Sequence, residues 1–275
     1  MNPQSDITDA AHGRVAHVKA RLLRPLSLIA PPAVFVLVIL GDGTTGDAAL
    51  SALVAAGVVV VLAVRGALKA AREDFYAAYA TSRGLERRGE RDLPEVTPLL
   101  RMGTGRNAER VMAGVLPGGL QGVLALYTYE EARGEDRRAE TKRFTIVLHR
   151  IPEVMERVLE LHCVPAASNS ASGIEGFRRS NRLRLESMAL DRRYEIFFGP
   201  DDDENWLRRL YAPSFIVWLG ERAAPAGFGF QLTQGHLCAF VPGHLENAGQ
   251  LDALCQSAAV VGTRLADEVA ESRTS

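Results

Sequence analysis

PLSLIAPPAVFVLVIL (Pro25–Leu40), GDGTTGD (Gly41–Asp47) and AALSALVAAGVVVVLAV (Ala48–Val64) follow one another, two uncharged runs around a short Gly/Thr linker. A helix rises 1.5 Å per residue, so each run covers about 24–26 Å of a hydrocarbon core about 30 Å thick. Leu22 and Leu23 lengthen the first run if Arg21 and Arg24 snorkel to the headgroups, and Gly66, Ala67 and Leu68 lengthen the second. The spacing predicts transmembrane helices at 22–41 and 48–69 joined by an external loop at 42–47. Pro31 and Pro32 kink the first helix. Ser51, Ala52, Ala55, Ala56 and Gly57 offer it a small-residue surface on the second. The competing interpretations are a buried helix pair in a soluble core and a cleavable signal peptide. Two apolar runs so close together argue against the first, and the lack of an A-x-A site before a soluble sequence argues against the second.

Orientation follows from the flanks. Arg14, Lys19, Arg21 and Arg24 precede the first run and Arg65, Lys69 and Arg72 follow the second, whereas the linker holds only Asp42 and Asp47. Positive charge on both outer flanks places the 1–21 tail and the C-terminal domain in the cytoplasm, in a cell inner membrane. Cys163, Cys238 and Cys255 are odd in number, far apart and without CxxC spacing, which suits a reducing compartment.

The 275 residues suffice for one domain plus an anchor. Mean hydropathy is -0.01 although 24% of residues are charged, so apolar residues are concentrated in one region. A net charge of -1 provides no basic field for nucleic acid, and none is expected as a partner. The alanine-rich ALKAAREDFYAAYATSRGL (Ala67–Leu85) predicts a helix ending at Gly84, within a juxtamembrane helix and linker over 70–93. Beyond it lies a soluble domain, 94–269, divisible at the PAASNSASG segment (Pro165–Gly173) into 94–166 and 174–269, with a disordered tail at 270–275.

Within that domain, Arg110–Leu116, Leu120–Tyr129 and Arg143–Ile151 read as strands, the first two joined by Pro117-Gly118-Gly119. Connections this short make an antiparallel meander. Further strands are expected at Val158–Val164, Arg182–Ser187, Tyr194–Phe198, Phe228–Leu232 and His236–Val241. Helices are expected after Asp201–Glu204, after Pro213 and over Leu245–Val269. Strands first and helices late predict an α+β fold: an N-terminal transmembrane hairpin, then a cytoplasmic domain with an antiparallel β-meander and C-terminal helices.

Three segments carry a resemblance: FYAAYATSRGLE (Phe75–Glu86), PLLRMGTGRNAERVMAGVLPGGLQGVLALYTY (Pro98–Tyr129) and LESMALDRRYEIFFGPDDDENWLRRLYAPSFIVWL (Leu185–Leu219). With the preceding apolar pair, they are similar to a family of uncharacterised actinobacterial two-helix membrane-anchored proteins. The resemblance implies the architecture; it implies no activity and no catalytic residue.

No residue pattern assigns a catalytic role and none implies a cofactor. No metal is expected, His236, Cys238 and His244 being the nearest approach to a ligand set, with His162-Cys163 elsewhere. On a strand, 236 and 238 share a face, as zinc would need, but no second close pair completes the set. The run Asp201–Glu204 reads as helix capping, since first-turn carboxylates meet unpaired amides. Gly103-Thr104-Gly105-Arg106 resembles part of a phosphate-cradling loop but lacks the GK[ST] ending, and a turn is expected there. Ser168–Ser172 has no GxSxG setting. Arg178, Arg179, Arg182 and Arg184 alternate along a strand and read as a solvated edge. The expected partners are the lipid bilayer, through residues 22–69, and a protein of unspecified identity; no feature sets an oligomeric state. The function expected is a membrane-anchored interaction or scaffold domain. The alternative is an enzyme at the membrane face, whose polar pocket would gather His149, His236 or Asp191.

Overall fold

The computed structural model describes residues 47–89, 93–131, 139–166, 181–220 and 224–274, with side chains from 57 onward. The chain divides into two compact units, Met1–Ala78 and Tyr79–Ser275. Helix α1 (Asp47–Ser82) continues without a break through position 69, so the apolar run and the alanine-rich segment after it form one continuous helix, as the sequence predicts. It stops as its sequence dictates. Leu85 N–H bonds Ala80 O at 2.8 Å and Gly84 N–H bonds Thr81 O at 3.2 Å, with Gly84 at a φ of 64°. That is a Schellman cap, which saturates the last carbonyls.

Among the described residues no helix is long and apolar enough to cross a membrane. The first predicted span, 22–41, and the 42–46 part of its loop lie outside the described residues, as do the side chains of 48–56 in the second span.

Tyr79–Ser275 is an α+β unit built on a nine-stranded, wholly antiparallel sheet. In chain order its elements are β1 (Glu86–Arg87), α2 (Pro98–Arg101), β2 (Thr104–Val115), β3 (Gln121–Glu131), β4 (Glu140–Arg150), β5 (Glu160–Pro165), β6 (Asn181–Leu183), α3 (Met188–Asp191), β7 (Tyr194–Phe198), α4 (Glu204–Leu210), α5 (Pro213–Gly220), β8 (Gly229–Thr233), β9 (His236–Pro242) and α6 (Ala248–Thr274). Strand order is β1-β2-β3-β4-β9-β8-β5-β7-β6. The expected meander is β2–β3–β4, turned at Pro117–Gly119 by a Leu116 N–H to Leu120 O bond of 2.8 Å. Late strands β8 and β9 slot between β4 and β5, so both sides of the 167–180 segment contribute to one sheet.

Two expectations need correction. The strand predicted over Arg182–Ser187 ends at Leu183, because Ser187 Oγ accepts from Leu190 N–H (3.3 Å) and caps α3 instead. Gly103–Arg106 is not a simple turn, since β2 already begins at Thr104, opposite Glu130.

Alternation along the strands loads both faces. On one, Ala125, Tyr127, Ile146, Leu148, Cys238 and Phe240 are buried with Leu99 and Leu100 of α2. Against the other, α6 packs on β4 and β9, burying Leu251, Leu254, Ala258, Val261 and Leu265. Glu268 is only 2% exposed but its carboxylate accepts from Arg264 (2.7 Å) and Arg209 (3.1 Å), which ties α6 to α4. A buried charge tolerates that position only when paired in this way.

Candidate functional site

Directly opposed residues in antiparallel strands lie on the same face of a sheet. The registers of β5, β8 and β9 therefore assemble two adjacent rows: His162, Gln231 and Cys238, then Glu160, Thr233 and His236. Thr97, Leu99 and α2 cover these rows, with the Leu99 N–H donating to Gln231 Oε1 at 2.9 Å. His162 Nε2 donates to Glu160 Oε1 at 2.8 Å. The His162 hydrogen bond holds the Glu160 carboxyl below the usual carboxylate range, against burial that pushes it up. Burial pushes the Cys238 thiol up to about 12, so sulfur carries its proton at neutral pH.

This block is the richest polar constellation among the described residues, yet it faces inward. The His162 side chain has no exposed surface, and Thr97, Gln231 and Cys238 are equally enclosed. A general base must come within about 3 Å of the proton it removes. The sealed imidazole, with Nε2 committed to Glu160, orients the sheet and the covering segment and offers no proton to a substrate.

The metal candidates separate. His236 and Cys238 share a face, as their spacing predicts, but His244 lies beyond the far end of β9, with Nε2 3.3 Å from Thr128 Oγ1. Burial lowers the His244 pKa and keeps the ring neutral. Among the described residues no group of three His, Cys, Asp or Glu side chains could hold a metal ion. His149 projects to the opposite face from His236, with Nδ1 2.8 Å from Gln121 O, and Asp191 is exposed at the end of α3, so these three residues do not gather in one place.

The acidic run is a capping device. Asp203 Oδ1 accepts from Asn205 N–H (2.9 Å) and Trp206 N–H (3.2 Å) and starts α4. Asp202 does something the sequence did not foretell: it accepts from the amides of Leu159 (2.7 Å), Glu160 (3.1 Å) and Gly199 (2.9 Å), pinning the start of β5 to the end of β7. Gly103 is demanded by close approach, since a Cβ there would stand 2.4 Å from Glu130 O, and the Glu130 carboxylate packs 3.3 Å from the corresponding point at Gly105. A carboxylate in that place opposes phosphate, so the Gly-Thr-Gly-Arg segment is no phosphate cradle. Arg182 pairs with Glu195 (3.3 Å) and Arg184 is exposed, while Leu183 and Leu185, which alternate with them, are buried. Arg178, Arg179 and Ser168–Ser172 lie outside the described residues.

Two cavities lie among the described residues. One, of about 500 Å³, lies between Leu93, Leu100, Ala108 and Tyr127, with Glu95 and Arg106 bridged across it at 3.3 Å. The other, of about 590 Å³, is lined by Tyr194, Leu219, Ala224 and Phe228, and by Arg193, whose guanidinium donates to Gly220 O. Neither collects acid–base groups. The chain was compared with protein-family models, curated proteins and solved structures, and nothing matches.

Sequence reasoning missed Glu160, Gln231 and Thr97. The Glu160-x-His162 spacing is a same-face signal on any strand. Gln231 and Thr97 carry no such signal, because only the sheet order brings them there.

Proposed function

We propose that this chain is a membrane-anchored protein whose cytoplasmic α+β domain serves as an interaction or scaffold module. The observation that carries the reading is the surface of α1. Val58, Val60, Val61 and Leu62 are each about half exposed. Successive helical positions turn about 100°, so these four spread over about 200° of the circumference, and the remaining side carries the half-covered but equally apolar Val59 and Ala63. A helix apolar all round has lipid or protein as its natural surroundings. The uncharged Ala48–Val64 run that leads into it, the second such run at Pro25–Leu40 and the basic flanks support lipid and an inside location for both termini.

The test is extraction and labelling of the full chain in cells. It should stay in the membrane fraction after alkaline carbonate. A cysteine placed at Thr44 should react with an impermeant maleimide from outside, and one at Thr274 only after permeabilisation. Cys163, Cys238 and Cys255 are buried and give little background. A full chain that remains dissolved without detergent overturns the anchor. Turnover abolished by Glu160→Gln overturns the non-catalytic half of the proposal.

A further inference from the structure

Three buried polar atoms lie unmet beneath α2. Gln231 presents its side chain from the middle of β8 and is fully enclosed. The Leu99 N–H donates to its Oε1 at 2.9 Å, which fixes the amide and turns Nε2, with its two hydrogens, the other way. Nε2 has no hydrogen-bond partner among the described residues, and neither have the hydroxyls of Thr97 and Thr233. Thr97 is fully buried and Thr233 is 9% exposed.

These atoms are neighbours. Thr233 follows Gln231 by two positions on the same face of β8. Cys238 stands directly opposite Gln231, and the Thr97 hydroxyl lies beside the Cys238 thiol, whose sulfur is a weak partner. Thr97 immediately precedes α2, yet its hydroxyl caps no amide there. A buried donor or hydroxyl loses its bonds to bulk water, and folded chains rarely leave that loss uncompensated. Internal water collects where such groups converge and makes about three hydrogen bonds to them. The two rows also run from wet to dry. Glu160, opposite Thr233, keeps 32% of its side chain exposed, whereas His162, opposite Gln231, has none.

We propose that this block is an internal hydration site: ordered water between the 97–101 segment and β8 accepts from Gln231 Nε2 and bonds the Thr97 and Thr233 hydroxyls. With the Leu99–Gln231 bond, this water fastens the covering segment to the sheet. The hydrogens of Nε2 repel a cation, and the Glu160 carboxylate in the next row disfavours an anion, so the ligand is small and neutral. The site stands or falls independently of the membrane anchor.

A crystal structure of the full chain at a resolution that orders water tests it. Density is expected within hydrogen-bond distance of Gln231 Nε2 and of at least one of the two hydroxyls. Thr97→Val with Thr233→Val should remove or displace it, and Thr97→Ser with Thr233→Ser, which keeps both oxygens, should retain it. A Gln231 Nε2 bonded directly to a protein acceptor, with no water between, overturns the site. Urea unfolding of the full chain asks the same question by sign. Exchanging a hydroxyl that lacks any partner for a methyl group stabilises a fold, whereas exchanging a hydrated one destabilises it. Each single valine variant should lower the urea midpoint. A midpoint unchanged or raised in both overturns the site.

Discussion

Adjacent carboxylates of identical chemistry do unequal work in this molecule. Asp203 caps one short helix, whereas Asp202 gathers three amides at the adjoining ends of two strands. Loss of a capping side chain costs about 1 kcal/mol, and hydrogen bonds to a charged group about 1.5–3 kcal/mol each, less than additively. Asp202→Ala should therefore destabilise the domain by about 3 kcal/mol and Asp203→Ala by about 1, measured by urea unfolding. Glu160 supplies a pH handle. Its folded carboxyl titrates below the ordinary value of 4.5, chiefly through the His162 hydrogen bond, so the folded state binds fewer protons than the unfolded one. The resulting stability is present in full above about pH 4.5 and is lost as the pH falls through the folded value. Glu160→Gln should flatten the slope of stability against pH in that acidic window, read by urea unfolding across it.

At the scale of elements, alternation and turn chemistry made most strands legible. Pro117–Gly119 and Gln234-Gly235 mark hairpins because their conformations suit few other residues. Gln234 and Gly235 have φ values of 47° and 72°, a type I′ turn, and a Cβ on Gly235 would meet Ile151 O at 3.0 Å. Gly235→Ala should cost about 2 kcal/mol or more in thermal or urea unfolding, and Gln234→Asn, which tolerates positive φ, should be neutral or mildly stabilising. What misled was competition between local signals. Leu183 and Leu185 alternate as a strand would, but Ser187 bonds its own downstream amide and wins two residues later. The His236-x-Cys238 pair was legible as a shared face. Its true neighbours, Gln231 and His162, were not, since strand pairing over long sequence distance leaves no local trace.

At the scale of the whole molecule, the order β4-β9-β8-β5 fastens the segments on either side of 167–180 into one sheet. An interface made of backbone ladders and a shared core does not part into independent pieces. Fragments 94–166 and 174–269, produced separately, should each lack near-ultraviolet circular dichroism, while residues 79–275 together should unfold in a single transition. Two folded fragments would show that the sheet is two modules pressed edge to edge.

The pairing of β4 with β9 also sets a clock during synthesis. His236 follows its partner Arg150 by 86 positions. A ribosome adding 5–20 residues per second needs about 4–17 s to produce it. For that interval Ile146 and Val147 sit on an open edge, the kind of surface that nascent chains stick by. A stop codon before the last strand would leave the edge open for good and remove α6 as well, so such truncated products should be holdase clients and protease substrates.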